Sequence, residues 1–386
     1  MWLAVHYAEI ALKGKNRPRF ERLLSRNLGR ALQTFGRVRI RSLYGRLLVD
    51  LGDGVPFEAV RERLERVFGV AYFGRVTVCE PAPEPIAKAA ETLVSARGAR
   101  TFGVRARRAD KQHPFTSQEL ASEVGAHVVQ ATGARVNLTD PELWVEIHVL
   151  SRQALVFHER CHGPGGLPVG SGGRAVALLS GGIDSPVASH LITKRGCQLD
   201  FVHFHSSPYT GAASIEKARR VVALLARYQG TSHLHLVPFG TLQQTLARET
   251  PADPRIVLYR RFMLRIAEVV AGSAGALALV TGESLGQVSS QTLANLDTIS
   301  RVAALPVLRP LIGMDKVEII ERARRIETYD ISIEPDEDCC SYLMPSQPAT
   351  WARPEELEEI ESTLDVKGLV ESAVAGIEVE RVEPDP

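Results

Sequence analysis

Apolar positions along the chain follow two rhythms, and the change from one to the other near residue 165 is the first sign of how it is organised. In residues 1 to about 60, the strand-like LAVHYA is followed by PRFERLLSRNLGRALQTF, whose apolar residues recur every three or four positions. VRIRSLYGRLLVDL then reads as strands. The pattern predicts a small α+β unit. PFEAVRERLERVF reads next as a helix and AYFGRVTVC as one strand. Residues 84 to 157 repeat the mixture: a helix from Pro85 to Ala96, the strand TFGVRARR, a helix opened by Thr116, Ser117 and Glu119, and the strands ARVNLT and LWVEIHVL. The glycine-rich GPGGLPVGSGG, Gly163 to Gly173, predicts a hinge.

From Arg174 the elements alternate. AVALL, LDFVHFHS, SHLHLVPF and ALALVTG are short apolar strands, separated by helices at PVASHLITKRG, SIEKARRVVALLARYQG and IVLYRRFMLRIAEVVAGSAG. Strict alternation predicts an α/β domain with a doubly wound parallel sheet, whose ligand lies beyond the carboxyl ends of the strands. LLSGGIDS, HFHSS and VTGESLGQ all fall at such ends. An acidic helix, EELEEIESTL, and a short valine-rich tail follow Pro354.

LLSGGIDS puts two glycines between a buried strand and a helix, where unpaired backbone N–H groups can receive phosphate. It lacks the Walker spacing, since Lys194 comes too late to serve as a P-loop lysine, so a kinase or motor ATPase is not expected. A plain strand–turn–helix junction is the competing account. His203 and His205 share one face of their strand, which suits a core or site wall better than a metal site lacking a third ligand. Arg260, Gly282 and Gln291 lie beyond later elements of the same sheet. Singly, each reads equally as a surface charge, a turn glycine or a helix polar residue.

Length, charge and cysteines add the rest. The 386 residues, 45% hydrophobic, suffice for two or three globular domains. Net charge is only +1, but residues 1 to 50 concentrate lysine and arginine, and a second basic run spans Ala96 to His113. These runs mark a polyanion footprint, nucleic acid first, with Lys13, Lys15, Arg17, Arg105, Arg107, Arg108 and Lys111 as RNA-binding candidates. A solvated helix face is the plainer alternative. No apolar run approaches the roughly 20 residues that span a bilayer, and no signal peptide opens the chain, so a cytoplasmic protein with no membrane partner is expected. Five cysteines without a C-x-x-C pair argue against a disulfide framework or a zinc site. Cys339 and Cys340 are adjacent behind a carboxylate cluster: either two small buried side chains, or a persulfide carrier with its partner.

Seven stretches in order, HYAEIALKGKNRPRFE, FGVRARRADKQHPFTSQEL, GGLPVG, LLSGGIDSPVA, TGESLGQVSSQTLANL, LRPLIGMDKVEII and EDCCSYLMPSQPAT, closely resemble the tRNA 4-thiouridine synthetases, which also serve thiamine thiazole synthesis. The resemblance implies an N-terminal ferredoxin-like α+β domain over 1–60, a THUMP RNA-binding domain over 61–165 and a PP-loop ATP pyrophosphatase domain over 166–386. It also implies that Ser180, Gly181, Gly182 and Ser185 cradle pyrophosphate, and that Leu178, Leu179, His203 and Phe204 wall the adenosine. Arg260, Gly282 and Gln291 would complete the ATP contacts. Asp184, Lys316 and Cys340 would be catalytic; Cys339 and Cys197 are the thiols available in sequence to resolve a persulfide, and free sulfide attacking the adenylate is a route that needs no cysteine. ATP and magnesium are the implied cofactors, with magnesium carried on ATP rather than by a fixed metal site. The implied partners are tRNA, a cysteine desulfurase or other sulfur donor, and a thiamine sulfur-carrier protein; a homodimer is left open.

Two features depart from the family. No rhodanese domain follows Pro354, and Glu327 stands where the family usually has glycine. The implied reaction adenylates the C4 oxygen of a uridine, position 8 of tRNA, and sulfur then displaces AMP. Two other readings stand beside it: a PP-loop enzyme acting on a small-molecule acceptor, and a non-catalytic RNA-binding protein.

Overall fold

The structure, a computed structural model, describes residues 1–43, 45–335, 343, 345 and 348–385. Chain contacts divide it into two compact units, Met1–Gly166 and Leu167–Pro386.

The first unit holds two five-stranded sheets. One contains β1 (Trp2–His6), β2 (Arg39–Leu43) and β3 (Arg46–Asp50), with α1 (Arg17–Leu32) and α2 (Phe57–Leu64) packed on it. β4 (Tyr72–Arg75) joins the free side of β1. The second sheet is built from β5 (Thr77–Cys79), β6 (Thr101–Arg108), β7 (Arg135–Val136), β8 (Leu143–Val149) and β9 (Ala154–Phe157), covered by α3 (Pro83–Arg97) and α4 (Ser117–Thr132). β10 (Cys161–His162) returns to β4 and completes the first sheet. AYFGRVTVC is therefore two strands in two sheets rather than one, breaking at the buried Val76. The boundary expected at residue 60 cuts the first core, to which Leu64, Val70, Phe73 and Cys161 all contribute.

The Thr116 hydroxyl accepts from the Glu119 N–H while the Glu119 carboxylate accepts from the Thr116 N–H, the capping box expected from the sequence.

In the second unit the order is β15-β14-β11-β12-β13-β16. β11 (Arg174–Leu178), α5 (Asp184–Lys194), β12 (Gln198–His205), α6 (Ala213–Gln229) and β13 (Ser232–Pro238) wind one way; α7 (Gly240–Glu249) and α8 (Arg255–Ala274) carry the chain back across. β14 (Leu279–Val280) pairs parallel to the other side of β11. α9 (Leu293–Ser300), β15 (Val307–Leu308), α10 (Lys316–Arg325), α11 (Tyr329–Ser332), α12 (Pro354–Ser362) and α13 (Val366–Ala375) follow. The valine-rich tail forms β16 (Glu378–Val382), antiparallel on β13.

Helices α7, α8, α12 and α13 enclose one core; α5, α6 and α10 enclose the other. The acidic helix α12 is anchored through Glu361, whose carboxylate accepts from Arg261 and Arg265 of α8 at 2.7 Å each. Arg261 is 2% exposed, so this pair lies inside the core. The sheet reverses its winding between β11 and β14, and in such sheets the crevice at the reversal is where a ligand can lie. Among the described residues no helix is long and apolar enough to cross a membrane.

Candidate functional site at the sheet reversal

The SGGIDS turn is closed by its own serines. Ser185, buried in the first turn of α5, accepts the Ser180 N–H at 2.9 Å through Oγ and lies 3.2 Å from the Ser180 carbonyl, to which it donates. The Gly182 N–H donates to Ser180 Oγ at 3.3 Å. The loop is thereby held open ahead of the amino end of α5, where helix N–H groups favour an anion.

His203, on neighbouring β12, braces the loop from behind. It is 1% exposed, and its Nδ1 lies 3.0 Å from the Leu179 carbonyl. Nδ1 must carry the proton for that bond, which fixes the tautomer. Burial lowers the pKa of His205 on the same face.

Asp184 opens α5 with its carboxylate engaged on both sides: Lys316 Nζ reaches Oδ1 at 2.7 Å and Gln287 Nε2 reaches Oδ2 at 2.9 Å. Lys316 begins α10, whose capping box between Asp315 and Glu318 sets the direction of the helix start.

β14 leads into the opposite wall. A Cβ on Gly282 would lie 2.8 Å from Ser185 N and 2.9 Å from Ser185 Cα, so only glycine permits this approach of the β14 end to the first turn of α5. Glu283 follows. Its Oε2 accepts from Thr281 Oγ1 and, at 2.7 Å, from Arg309 Nε, while Arg309 Nη2 reaches Ser300 Oγ at 2.8 Å.

These elements border a partly open cleft at the carboxyl ends of β11, β12 and β14. Its lining contains Leu178, Leu179, Ser180, Asp184, Ser185, Phe204, Arg260, Gly282 and Gln291, all named from the sequence. The buried Gln291 presents Oε1 with no hydrogen-bond partner among the described residues, an acceptor available to a ligand N–H. Gly181 and Gly182 shape the adjoining loop, His203 stands behind it and Lys316 reaches in through Asp184.

Sequence reasoning missed Met263, Thr281 and Glu283 in the lining, and Gln287 and Arg309 beside it. Glu283, Gln287 and Arg309 fall within TGESLGQVSSQTLANL and LRPLIGMDKVEII, but nothing in their spacing says which side chain turns inward.

Cys197 and Arg108 are each engaged by backbone carbonyls near them. Cys197 precedes β12 and so lies at the opposite end of the sheet, about 20 Å from the cleft at roughly 3.3 Å per strand residue. Its Sγ donates to the Gly172 carbonyl at 3.4 Å, and burial raises its pKa. Arg108 is half-buried, and its Nη1 donates to the carbonyls of His113 and Phe115, which braces the 108–115 loop. Cys339 and Cys340 lie outside the described residues.

The other basic candidates are surface-facing. Lys15, Arg107 and Lys111 are exposed. Lys13 lies over the Phe20 ring at 5.3 Å, Arg17 pairs with Glu21 at 3.1 Å, and Arg105 stacks on Trp144 at 3.5 Å.

Fold and site together define a doubly wound α/β unit with a serine-closed glycine loop at its sheet reversal, preceded in sequence by a basic α+β unit. The chain's ferredoxin-like, THUMP and catalytic-domain regions match, in order, the family descriptions "ThiI ferredoxin-like domain" over 2–74, "THUMP domain" over 84–159 and "Thiamine biosynthesis protein (ThiI)" over 170–366. The chain belongs to the ThiI family. A "Probable tRNA sulfurtransferase" of Brevibacillus brevis is 43% identical, covering 100% of this chain and 97% of that protein. One from Thermus thermophilus is 46% identical, covering 97% and 92%. A solved "4-thiouridine synthetase - RNA complex with bound ATP" superposes with a TM-score of 0.91 at 37% identity, covering 99% of both chains. PH1313 from Pyrococcus horikoshii shares the fold, with a TM-score of 0.63 at 23% identity over 84% of this chain and 99% of that one.

Proposed function

We propose that this enzyme is a tRNA sulfurtransferase that uses ATP to replace the C4 oxygen of uridine 8 with sulfur, giving 4-thiouridine. One observation carries the reading: the serine-closed loop, the Asp184–Lys316 pair and the unpartnered Gln291 oxygen meet at one cleft, in a chain similar along its whole length to a synthetase solved with RNA and ATP.

The C4 oxygen of uracil is a poor leaving group. Attack by that oxygen on the α-phosphorus of ATP forms an adenylate and expels pyrophosphate. A sulfur nucleophile then adds at C4 and AMP departs. In this scheme Ser180, Gly181, Gly182, Ser185 and the start of α5 receive the β and γ phosphates as a departing unit. Leu178, Leu179 and Phe204 pack the adenosine, Gln291 reads it, and Arg260 and Gly282 border it. Lys316 offsets charge on the phosphates. Asp184 would be the carboxylate offered to a magnesium ion carried on ATP, a hard oxygen donor suited to that ion, which would supply charge neutralisation at the phosphates.

A persulfide on Cys340 supplies the sulfur: its terminal sulfur bonds to C4, and a second thiolate, with Cys339 as the sequence neighbour, attacks the inner sulfur. That step forms a disulfide and releases the thiolated base. The persulfide comes from a cysteine desulfurase or another donor, and transfer to a thiamine sulfur-carrier protein is a second role of the same chemistry. Lys13, Lys15, Arg17, Arg105, Arg107 and Lys111 contribute to the tRNA-facing surface, where phosphate contacts dominate affinity.

Pyrophosphate release tests the reading. With magnesium, ATP and sulfide it is expected to require tRNA bearing uridine 8, and to fall at least about 100-fold in Asp184→Asn. Release that proceeds equally without tRNA would move the acceptor to a small molecule.

A further inference from the structure

Asn295, in the LANL of TGESLGQVSSQTLANL, was assigned no role by motif, yet it makes a fully committed set of buried contacts. It is 0% exposed on α9. Its Nδ2 donates to the Ser289 carbonyl at 2.7 Å and to the Ala349 carbonyl at 2.9 Å, and its Oδ1 accepts from the Ala352 N–H at 2.8 Å. Two carbonyls face the nitrogen and one N–H faces the oxygen, so the amide has a single workable orientation and no other side chain of this shape fits it.

What it joins matters for the cleft. Ser289 belongs to a tight loop closed by the Gly286 N–H on the Gln291 carbonyl at 2.9 Å and by the Gln291 N–H on the Val288 carbonyl at 2.9 Å. That loop carries both Gln287, on Asp184, and Gln291, in the cleft wall. The Ala349–Ala352 backbone is gripped beside it by Thr292 Oγ1, on the Thr350 carbonyl at 2.8 Å, and by Thr298 Oγ1, on the Ala352 carbonyl at 2.7 Å. Of these three side chains, Asn295 alone also holds the loop.

We propose that Asn295 is a positioning residue for nucleotide binding: through Ser289 it sets the 286–291 loop so that Gln291 meets ATP, using the 349–352 backbone as its fixed support. The inference rests on the reading of the cleft as an ATP site. Asn295→Asp keeps the shape but replaces two N–H donors with an oxygen that faces two carbonyls, whereas Thr298→Val loosens the same backbone without touching the loop.

The test is a double-mutant cycle on the dissociation constant of a non-hydrolysable ATP analogue, measured by calorimetry. Asn295→Asp is expected to weaken binding about tenfold. Gln291→Ala, costly in the wild-type background, should then add less than about twofold, the mark of coupled sites. Thr298→Val should stay within about twofold of wild type, and it separates positioning from a general loss of stability. Should Asn295→Asp fail to fold, Asn295→Ser takes its place in the same cycle. Additive effects of Asn295 and Gln291, or an equal loss in Thr298→Val, would overturn the proposal while leaving the ATP reading intact. Absence of binding by the wild-type protein would overturn both.

Discussion

Glu327 has a backbone φ of +65°, in the region that L side chains enter at a cost of about 1 kcal/mol and glycine enters freely. The family resemblance places glycine at this position, so the departure visible in the sequence falls on a residue whose backbone still demands glycine geometry. Glu327 pairs with Arg227 at 2.6 Å, which offsets part of the strain. Neither Glu327→Gly nor Glu327→Ala keeps that pair, so their difference isolates the backbone. Glu327→Gly should be the more stable by about 1 kcal/mol in thermal or urea unfolding, and equal stability would show that the turn relaxes. The same scale separates what could be read from residues alone. Ser180, Asp184 and Ser185 were legible because loop chemistry demands those types in that order. Gln287 and Asn295 were not, because a side-chain amide reads alike on a surface and in a buried clasp.

At the scale of elements, the alternation of strands and helices made the second unit legible, because parallel strands buried on both faces read as short apolar runs. The break of AYFGRVTVC between two sheets was hidden, since each half keeps strand patterning and only the partners differ. β15 is two residues long, too short to show a period, whereas the equally short β14 lies inside the apolar run ALALVTG that reads as a strand. The approach of β14 to the loop is the contact on which the cleft depends. Gly282→Ala must push Ser185 away from the strand end, since the added Cβ would sit 2.8 Å from its backbone nitrogen. The variant should fold, because the contact involves one strand end, but bind ATP at least about tenfold more weakly. Unchanged affinity would mean that the loop geometry is not set from this side.

At the scale of the molecule, the first unit contains a buried polar cluster that should make it acid-sensitive. His6 stacks on Tyr72 with centroids 4.2 Å apart, and His148 meets the Arg46 guanidinium. Burial, reinforced by Arg46, lowers both histidines to about 3. Both are therefore neutral in the folded state and near 6.5 when unfolded, so their contribution is fully present above pH 6.5 and is lost as pH falls toward 3. The expected loss is roughly 1 kcal/mol per histidine for each pH unit, read as urea unfolding of the first unit at pH 7, 5 and 4. His148→Gln should flatten that slope by its share; an unchanged slope would contradict the assignment.

The central claim, that this fold delivers ATP-driven sulfur to a tRNA uridine, is tested most directly by mass spectrometry of nucleosides from tRNA incubated with the protein, ATP, magnesium and a sulfide or desulfurase supply. The account predicts 4-thiouridine with the wild type and none with Asp184→Ala. Pyrophosphate formed without any thionucleoside would contradict it.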